Sequence, residues 1–168
     1  MALRTIRVIG DEILTKECKP VKAVTERTRE LIGDMFETMY DANGVGLAAP
    51  QVGILKQIFV VDTGEDEKFV CINPTVVPMD HEVQTGEEGC LSVPGKQGTV
   101  TRPLRVRVDA FDENLEPFTV ECEGLLARAM CHENDHLHGH MYTEMVECEL
   151  QDVGEDAEDT EDAEEDEA

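Results

Sequence analysis

The chain has 168 residues, enough for one domain around a single core. It carries 38 Asp and Glu against 14 Lys and Arg; twelve of the acids fall from Glu149 onward, where no base occurs, yet the remaining 26 (38 less 12) still outnumber the bases. Such a balance argues against the phosphate-neutralising surface that direct DNA binding needs, while contact with the ribosome stays open. The opening MALRTIRVIGDEI has neither the continuous apolar stretch nor the small-residue cleavage site of a signal peptide. No apolar run approaches the roughly 18 residues of a membrane helix. Six cysteines, none in a CxxC pair, fit a reduced protein of the cytoplasm.

In chain order, residues 25–42 come first: Leu31, Ile32, Met35, Phe36 and Met39 recur at helical spacing behind Thr25, a plausible N-cap. The following NGVGLAAPQVG is small, apolar and without period, so it is a loop or an irregular strand. From 57 to 123 the signal is of strands. QIFVVD and FVCINP are short β-branched runs, and LRVRVDAF alternates, with Leu104, Val106, Val108 and Ala110 on one face. DENL turns the chain into PFTVECE, where Phe118, Val120 and Cys122 share a face. Short turns between alternating strands indicate antiparallel sheet. Residues 124–138, GLLARAMCHENDHLH, form a second helix, apolar enough to be buried, with Gly139 placed to end it. The acidic stretch 149–168 cannot build a core and is expected to be a disordered tail behind a domain of residues 1–148. The fold class is α+β: antiparallel sheets surrounding a buried helix that carries charged groups, an arrangement that is costly unless those groups are compensated.

Those charged groups are the first chemical signal. His132 and His136 lie four apart on one helical face, the spacing at which two imidazoles reach one ion, and Glu133 completes H-E-x-x-H. His138 points away from that face and His140 lies beyond Gly139, so both are expected at the surface. A third protein ligand is needed. One metallopeptidase pattern continues H-E-x-x-H-x-x-G-x-x-H, but its last position is Tyr142 here. A downstream glutamate would come from the acidic tail, where no helix is expected to hold it. The remaining candidate is upstream: Cys90, within GEEGCLSVPG.

GVGLAAPQ (44–51 from its first glycine), EGCLS (88–92) and HENDH (132–136), in this order, resemble the bacterial peptide deformylases, and the likeness spans about residues 1–147. The resemblance implies a monomeric α+β enzyme of protein biosynthesis that removes the formyl group from the N-terminal formylmethionine of new peptides. It implies Cys90, His132 and His136 as ligands of one Fe²⁺, which Zn²⁺, Ni²⁺ or Co²⁺ can replace. It also implies Glu133 as acid/base, the Gln51 carboxamide and the Leu91 N–H as donors to the developing oxyanion, and the backbone of Gly44, Val45 and Gly46 as the holder of the peptide. Two rivals remain open: an H-E-x-x-H metallopeptidase cutting internal bonds, and a catalytically silent homologue that only binds. Asp135 is either a carboxylate orienting a ligand imidazole or a solvated one. Cys131 stands where the family commonly has glutamine; about 100° from His132 on the helix, it is expected to pack. Family members often end in a basic helix thought to dock at the ribosome. The polyanion here should be repelled by ribosomal RNA, so ribosome contact is not expected through this end.

Overall fold

The run IFVV at 58–61 is buried at every position, because its strand is covered on both faces. The computed structural model of the protein describes residues 2–65 and 67–153. In chain order its main elements are α1 (Glu26–Asp41), β1 (Gly46–Ala48), β2 (Ile58–Asp62), β3 (Lys68–Pro78), β4 (Val83–Cys90), β5 (Val93–Pro103), β6 (Arg105–Phe111), β7 (Pro117–Glu123), α2 (Leu125–Leu137) and β8 (Gln151–Asp152). An antiparallel five-stranded sheet has the order β1-β2-β3-β6-β7, and a smaller antiparallel sheet the order β4-β5-β8.

Strand periodicity sorts the core. From β2, Ile58 and Val60 join Leu31, Ile32, Met35 and Met39 of α1, while Phe59 and Val61 face the other way and join Ala127, Met130 and Leu137 of α2. Val106, Val108, Ala110 and Cys122 lie on the α2 side, as the alternation of their strands predicts. A third cluster, of Leu14, Val93, Val100, Met141 and Tyr142, fixes the small sheet to the segment that follows α2. Thus α2 lies between the large sheet and the β4–β5 hairpin, as a central helix enclosed by antiparallel strands.

Both helices keep the boundaries read from sequence to within a residue or two. Thr25 caps α1: its side chain accepts from Thr28 N, and Thr28 Oγ1 accepts from Thr25 N in return. Gly139, at φ 78°, follows the α2 cap in the left-handed conformation, and a Cβ there would come within 2.5 Å of Thr15 O. Helix α2 is not buried throughout, however. Leu125, at 54% exposure, projects from its first turn into a groove instead of the core.

Two further departures concern the small sheet. β4 is inverted relative to an ordinary half-buried strand: Glu88 is buried, Gln84 and Cys90 are partly so, and Val83 points outward. Its sequence therefore carries no apolar alternation to read. Residues 149–153, expected to leave the domain with the acidic tail, run along β5 instead, and Gln151 and Asp152 pair with Gln97 and Lys96. Two backbone hydrogen-bonding edges are satisfied by that pairing whatever the charge of the side chains. The rest of the expected tail, 154–168, lies outside the described residues. Among those described, no helix is long and apolar enough to cross a membrane.

Candidate metal centre and active site

Three segments far apart in sequence meet on one face of α2. The turn after β1 supplies Gln51, the end of β4 supplies Glu88 and Cys90, and α2 supplies His132, Glu133 and His136. Cys90 Sγ lies 3.3 Å from His136 Nε2, and the two Nε2 atoms lie 3.3 Å apart. All three donor atoms fall within 4.8 Å of one another. At metal–nitrogen distances of about 2.0–2.1 Å, two ligands at the tetrahedral angle stand about 3.4 Å apart, so the spacing of the nitrogens suits a single small cation.

The tautomers suit it too. Glu88 Oε2 accepts from His132 Nδ1 at 2.6 Å. Burial alone would raise the pKa of Glu88, but hydrogen bonds from His132 and Arg102 pull it down to about 2. An ionised carboxylate only accepts, so Nδ1 of His132 carries a proton toward Glu88, and Nε2 is the nitrogen turned toward His136. Burial, reinforced by the neighbouring His132, lowers His136 to about 3 and keeps it neutral, the form a ligand needs. For His132 burial also disfavours charge, yet Glu133, Cys90 and Glu88 outweigh it and hold the pKa well above the ordinary value. The pocket accordingly favours a positive charge at its centre.

Glu88 was not singled out by the sequence, and it is the hub of the site. Arg102 grips both its oxygens, Nε to Oε1 at 3.1 Å and an NH2 to Oε2 at 2.7 Å, and Arg128 donates to Oε1 at 2.9 Å. All three side chains are buried. A buried carboxylate with two guanidinium partners is compensated, and it can fix the imidazole rigidly. The orienting role considered for Asp135 falls to Glu88: Asp135 takes the remaining edge of Arg102, at 2.6 Å, one step behind. The sequence signals for Glu88 were its place at the head of the EGCLS motif and its two-residue spacing from Cys90.

Glu133 is 3% exposed, and its Oε1 has no hydrogen-bond partner among the described residues. Burial pushes its pKa up to about 7 against the pull of His132. Gly46 makes room for it. A Cβ at that position would lie 2.5 Å from Glu133 Oε2, and one at Gly44 would lie 2.6 Å from Leu91 Cδ1. Both glycines, read from sequence as holders of the peptide, also leave room for side chains of the protein itself. Gln51, 1% exposed, is no surface amide: its Oε1 accepts from Ala48 N at 2.9 Å. The amide is thereby fixed with Nε2 toward Ser92 Oγ at 3.0 Å and Cys90 Sγ at 3.5 Å.

Above this floor lies a groove of about 650 Å³. Gly44, Val45, Gly46, Gln51, Cys90, Leu91, His132 and Glu133, all singled out from sequence, line it, while His136 is buried beside His132. β1 is the end strand of the large sheet, so one of its edges is left beside the groove. His138 and His140 are at the surface, facing Glu17 and Glu144, as expected. Cys131 packs against the core beneath α2.

Comparison with known proteins agrees with this geometry. The family model described as polypeptide deformylase matches residues 3–151. A peptide deformylase of Agathobacter rectalis is 59% identical over 153 residues, covering 91% of this chain and 96% of its own length. One from Lachnoclostridium phytofermentans is 55% identical over 155 residues, covering 91% and 94%. Among solved structures, the peptide deformylase of Thermotoga maritima matches with a TM-score of 0.84 at 40% identity, over 88% of this chain and 100% of that one. That of Synechococcus elongatus, solved in complex with actinonin, matches with a TM-score of 0.81 at 42% identity, over 85% and 78%. With its three motifs folded onto one centre and its sequence matched along nearly its whole described length, the chain belongs to the polypeptide deformylase family.

Proposed function

We propose that the chain is a metal-dependent amidase that removes the formyl group from the formylmethionine of newly made polypeptides in the cytoplasm, releasing formate. The observation that carries this reading is the meeting of one cysteine sulfur and two imidazole nitrogens under a groove, beside a Glu133 carboxylate oxygen that has no partner among the described residues. Cys90, His132 and His136 would hold the cation, with Fe²⁺ the native ion and Zn²⁺, Ni²⁺ or Co²⁺ able to serve. Bound there, a divalent cation supplies Lewis acidity, which brings the pKa of water down toward neutrality.

The residues of the chain account for the rest. Glu133, with its pKa near 7, takes a proton from the water as it attacks the formyl carbon. The formyl oxygen gains charge and accepts from Gln51 Nε2 and the Leu91 N–H, donors held in place before the reaction begins. As the C–N bond breaks, Glu133 passes its proton to the departing nitrogen, leaving a free amino terminus and formate. The backbone of Gly44, Val45 and Gly46, at the edge of the large sheet, holds the peptide as an added strand. The protein acts as a monomer, and any contact with the ribosome avoids its polyanionic end.

Formyl-Met-Ala and its acetylated analogue decide the matter. With protein purified without oxygen and its metal measured, formate should be released from the first and nothing from the second. Chelation should abolish turnover, and Fe²⁺ should restore it. Cleavage of internal peptide bonds would establish the metallopeptidase instead, and a metal-loaded protein inert toward formyl-Met-Ala would establish the silent binder.

A further inference from the structure

β8 brings to the groove an apolar side chain that no sequence motif marked. Val153 N donates to Gly95 O at 2.8 Å, and Val153 lines the groove beside Gly95, Lys96 and Gln97. The match to the polypeptide deformylase family model ends at residue 151, so Val153 lies beyond it. Its seat is built from several ties. Gln151 and Asp152 pair with Gln97 and Lys96, an ion pair joins Asp152 to Lys96, and Glu147 N donates to Thr99 O at 2.9 Å. Val146 and Leu150 fill the space over Gly98, where a Cβ would come within 2.5 Å of Val146 Cγ1. None of these ties uses the Val153 side chain. The residue is 45% exposed, belongs to no core cluster and stands where a bound peptide would cover it.

We propose that Val153 is a specificity-determining residue: it walls the groove against the residue that follows formylmethionine and favours an aliphatic side chain there over a polar one. This rests on the reading of the groove as the formyl-peptide site. Register gives the position. Cys90 pairs with Val93 at the tip of the β4–β5 hairpin, and Gly95, which holds Val153, is two residues further along β5. At about 3.3 Å per residue, Val153 is anchored about 7 Å out from the level of the sulfur. An extended peptide with its formyl carbon at the centre carries its second residue about as far, because its own rise is the same. Charge offers no rival attraction at this point. Lys96 is engaged by Asp152, and Glu87 by Gln97 Nε2 at 2.6 Å. An incoming side chain therefore meets apolar surface, and covering it withdraws both partners from water. One or two methylene equivalents covered in this way correspond to about 4- to 15-fold in binding.

The test compares the full chain with full-length Val153→Ser and Val153→Ile variants, all carrying the same metal. Formate release is followed from formyl-Met-Leu-Ser and formyl-Met-Ser-Ser at low and high ionic strength. The native chain should favour the Leu peptide about fivefold in kcat/KM, through KM and not kcat, and equally at both salt concentrations. Val153→Ser should cut that ratio several-fold by slowing the Leu peptide, and Val153→Ile should keep or raise it. Because the ratio is taken within one preparation, a reduced active fraction cancels. A ratio that Val153→Ser leaves unchanged, including a loss shared equally by both peptides, overturns the wall and reduces β8 to a structural role. No turnover of either peptide by the native chain overturns the reading of the groove, and the wall with it.

Discussion

The two helices give the same signal in sequence, apolar residues at helical spacing, and do different things. α1 buries Leu31, Ile32, Met35 and Met39 with a single carboxylate, Asp34, which is tied to the start of the chain, to Ala2 N at 2.7 Å and Arg4 Nε at 2.9 Å. α2 buries Arg128, His132, Glu133 and His136, and the partners of Arg128 and His132 come from the β4–β5 hairpin. An ionisable group inside a protein has to be compensated. In α1 the compensation is one hydrogen-bonded ion pair that ends in structure. In α2 it is a network that turns two imidazole nitrogens toward Cys90 Sγ and leaves Glu133 Oε1 without a partner among the described residues, and those atoms are where we place the chemistry. What separates the helices is where such atoms gather: α1 also leaves Glu37 Oε2 without a partner among the described residues, but only the imidazole nitrogens of α2 converge with Cys90 on one point.

If that contrast holds, substitutions in the two helices should separate activity from stability. The largest effect is expected at Glu133. Glu133→Gln keeps the shape and removes the proton carrier, so kcat for formate release should fall by about 10²- to 10⁴-fold while bound metal and melting temperature stay close to those of the parent. A variant retaining near-parental kcat would remove Glu133 from the mechanism. Next comes Glu88→Gln. Its amide takes the anionic partner from Arg128, leaves Arg102 with Asp135 alone and weakens the hold on His132, so metal affinity should fall by about 10- to 100-fold in a chelator competition. Unchanged affinity would mean that the network is only packing.

Smallest, and on the other helix, is Asp34→Asn, which should leave kcat/KM untouched and lower unfolding stability by about 1–3 kcal/mol at pH 7. Its pH dependence has a definite sign. Burial alone would raise the Asp34 pKa, but the Ala2 N–H and Arg4 more than reverse this and hold it below the ordinary value. The stabilisation is therefore fully present above the unfolded-state value of about 3.9 and is lost as pH falls through the lower native one. Urea melts of parent and variant should differ by a constant amount at neutral pH and converge only in acid. Convergence already at pH 6 would show that the carboxylate is not what matters.

Much of this molecule could be read from its residues. Alternation gave the faces of β6 and β7, and helical spacing with Thr25 and Gly139 gave both helices, because these elements bury one apolar side. β4 escaped the reading because its inward positions are polar, and Glu88 escaped because its partners are 14, 40 and 44 residues away, where no local pattern reaches. The pair His132 and His136 was legible from spacing alone. Cys90 was only the candidate left after elimination until the resemblance joined it to that pair. Gly46 was noticed, yet the side chain that forbids a Cβ there lies on α2, in a contact only the tertiary fold creates.

The seating of α2 also sets an order of assembly. Its final turn is fastened to the beginning of the chain: Cys18 N donates to Leu137 O at 2.9 Å, and Gly139 is pressed against Thr15. A polypeptide emerging from its amino end presents residues 15–18 early and must keep that seat vacant until nearly all the remaining strands have appeared. The long loop this closes slows the step, since its entropy must be lost before any contact forms. Two of the three residues assigned to the cation are therefore made only after every strand of the large sheet, and the centre can form only once that sheet has appeared.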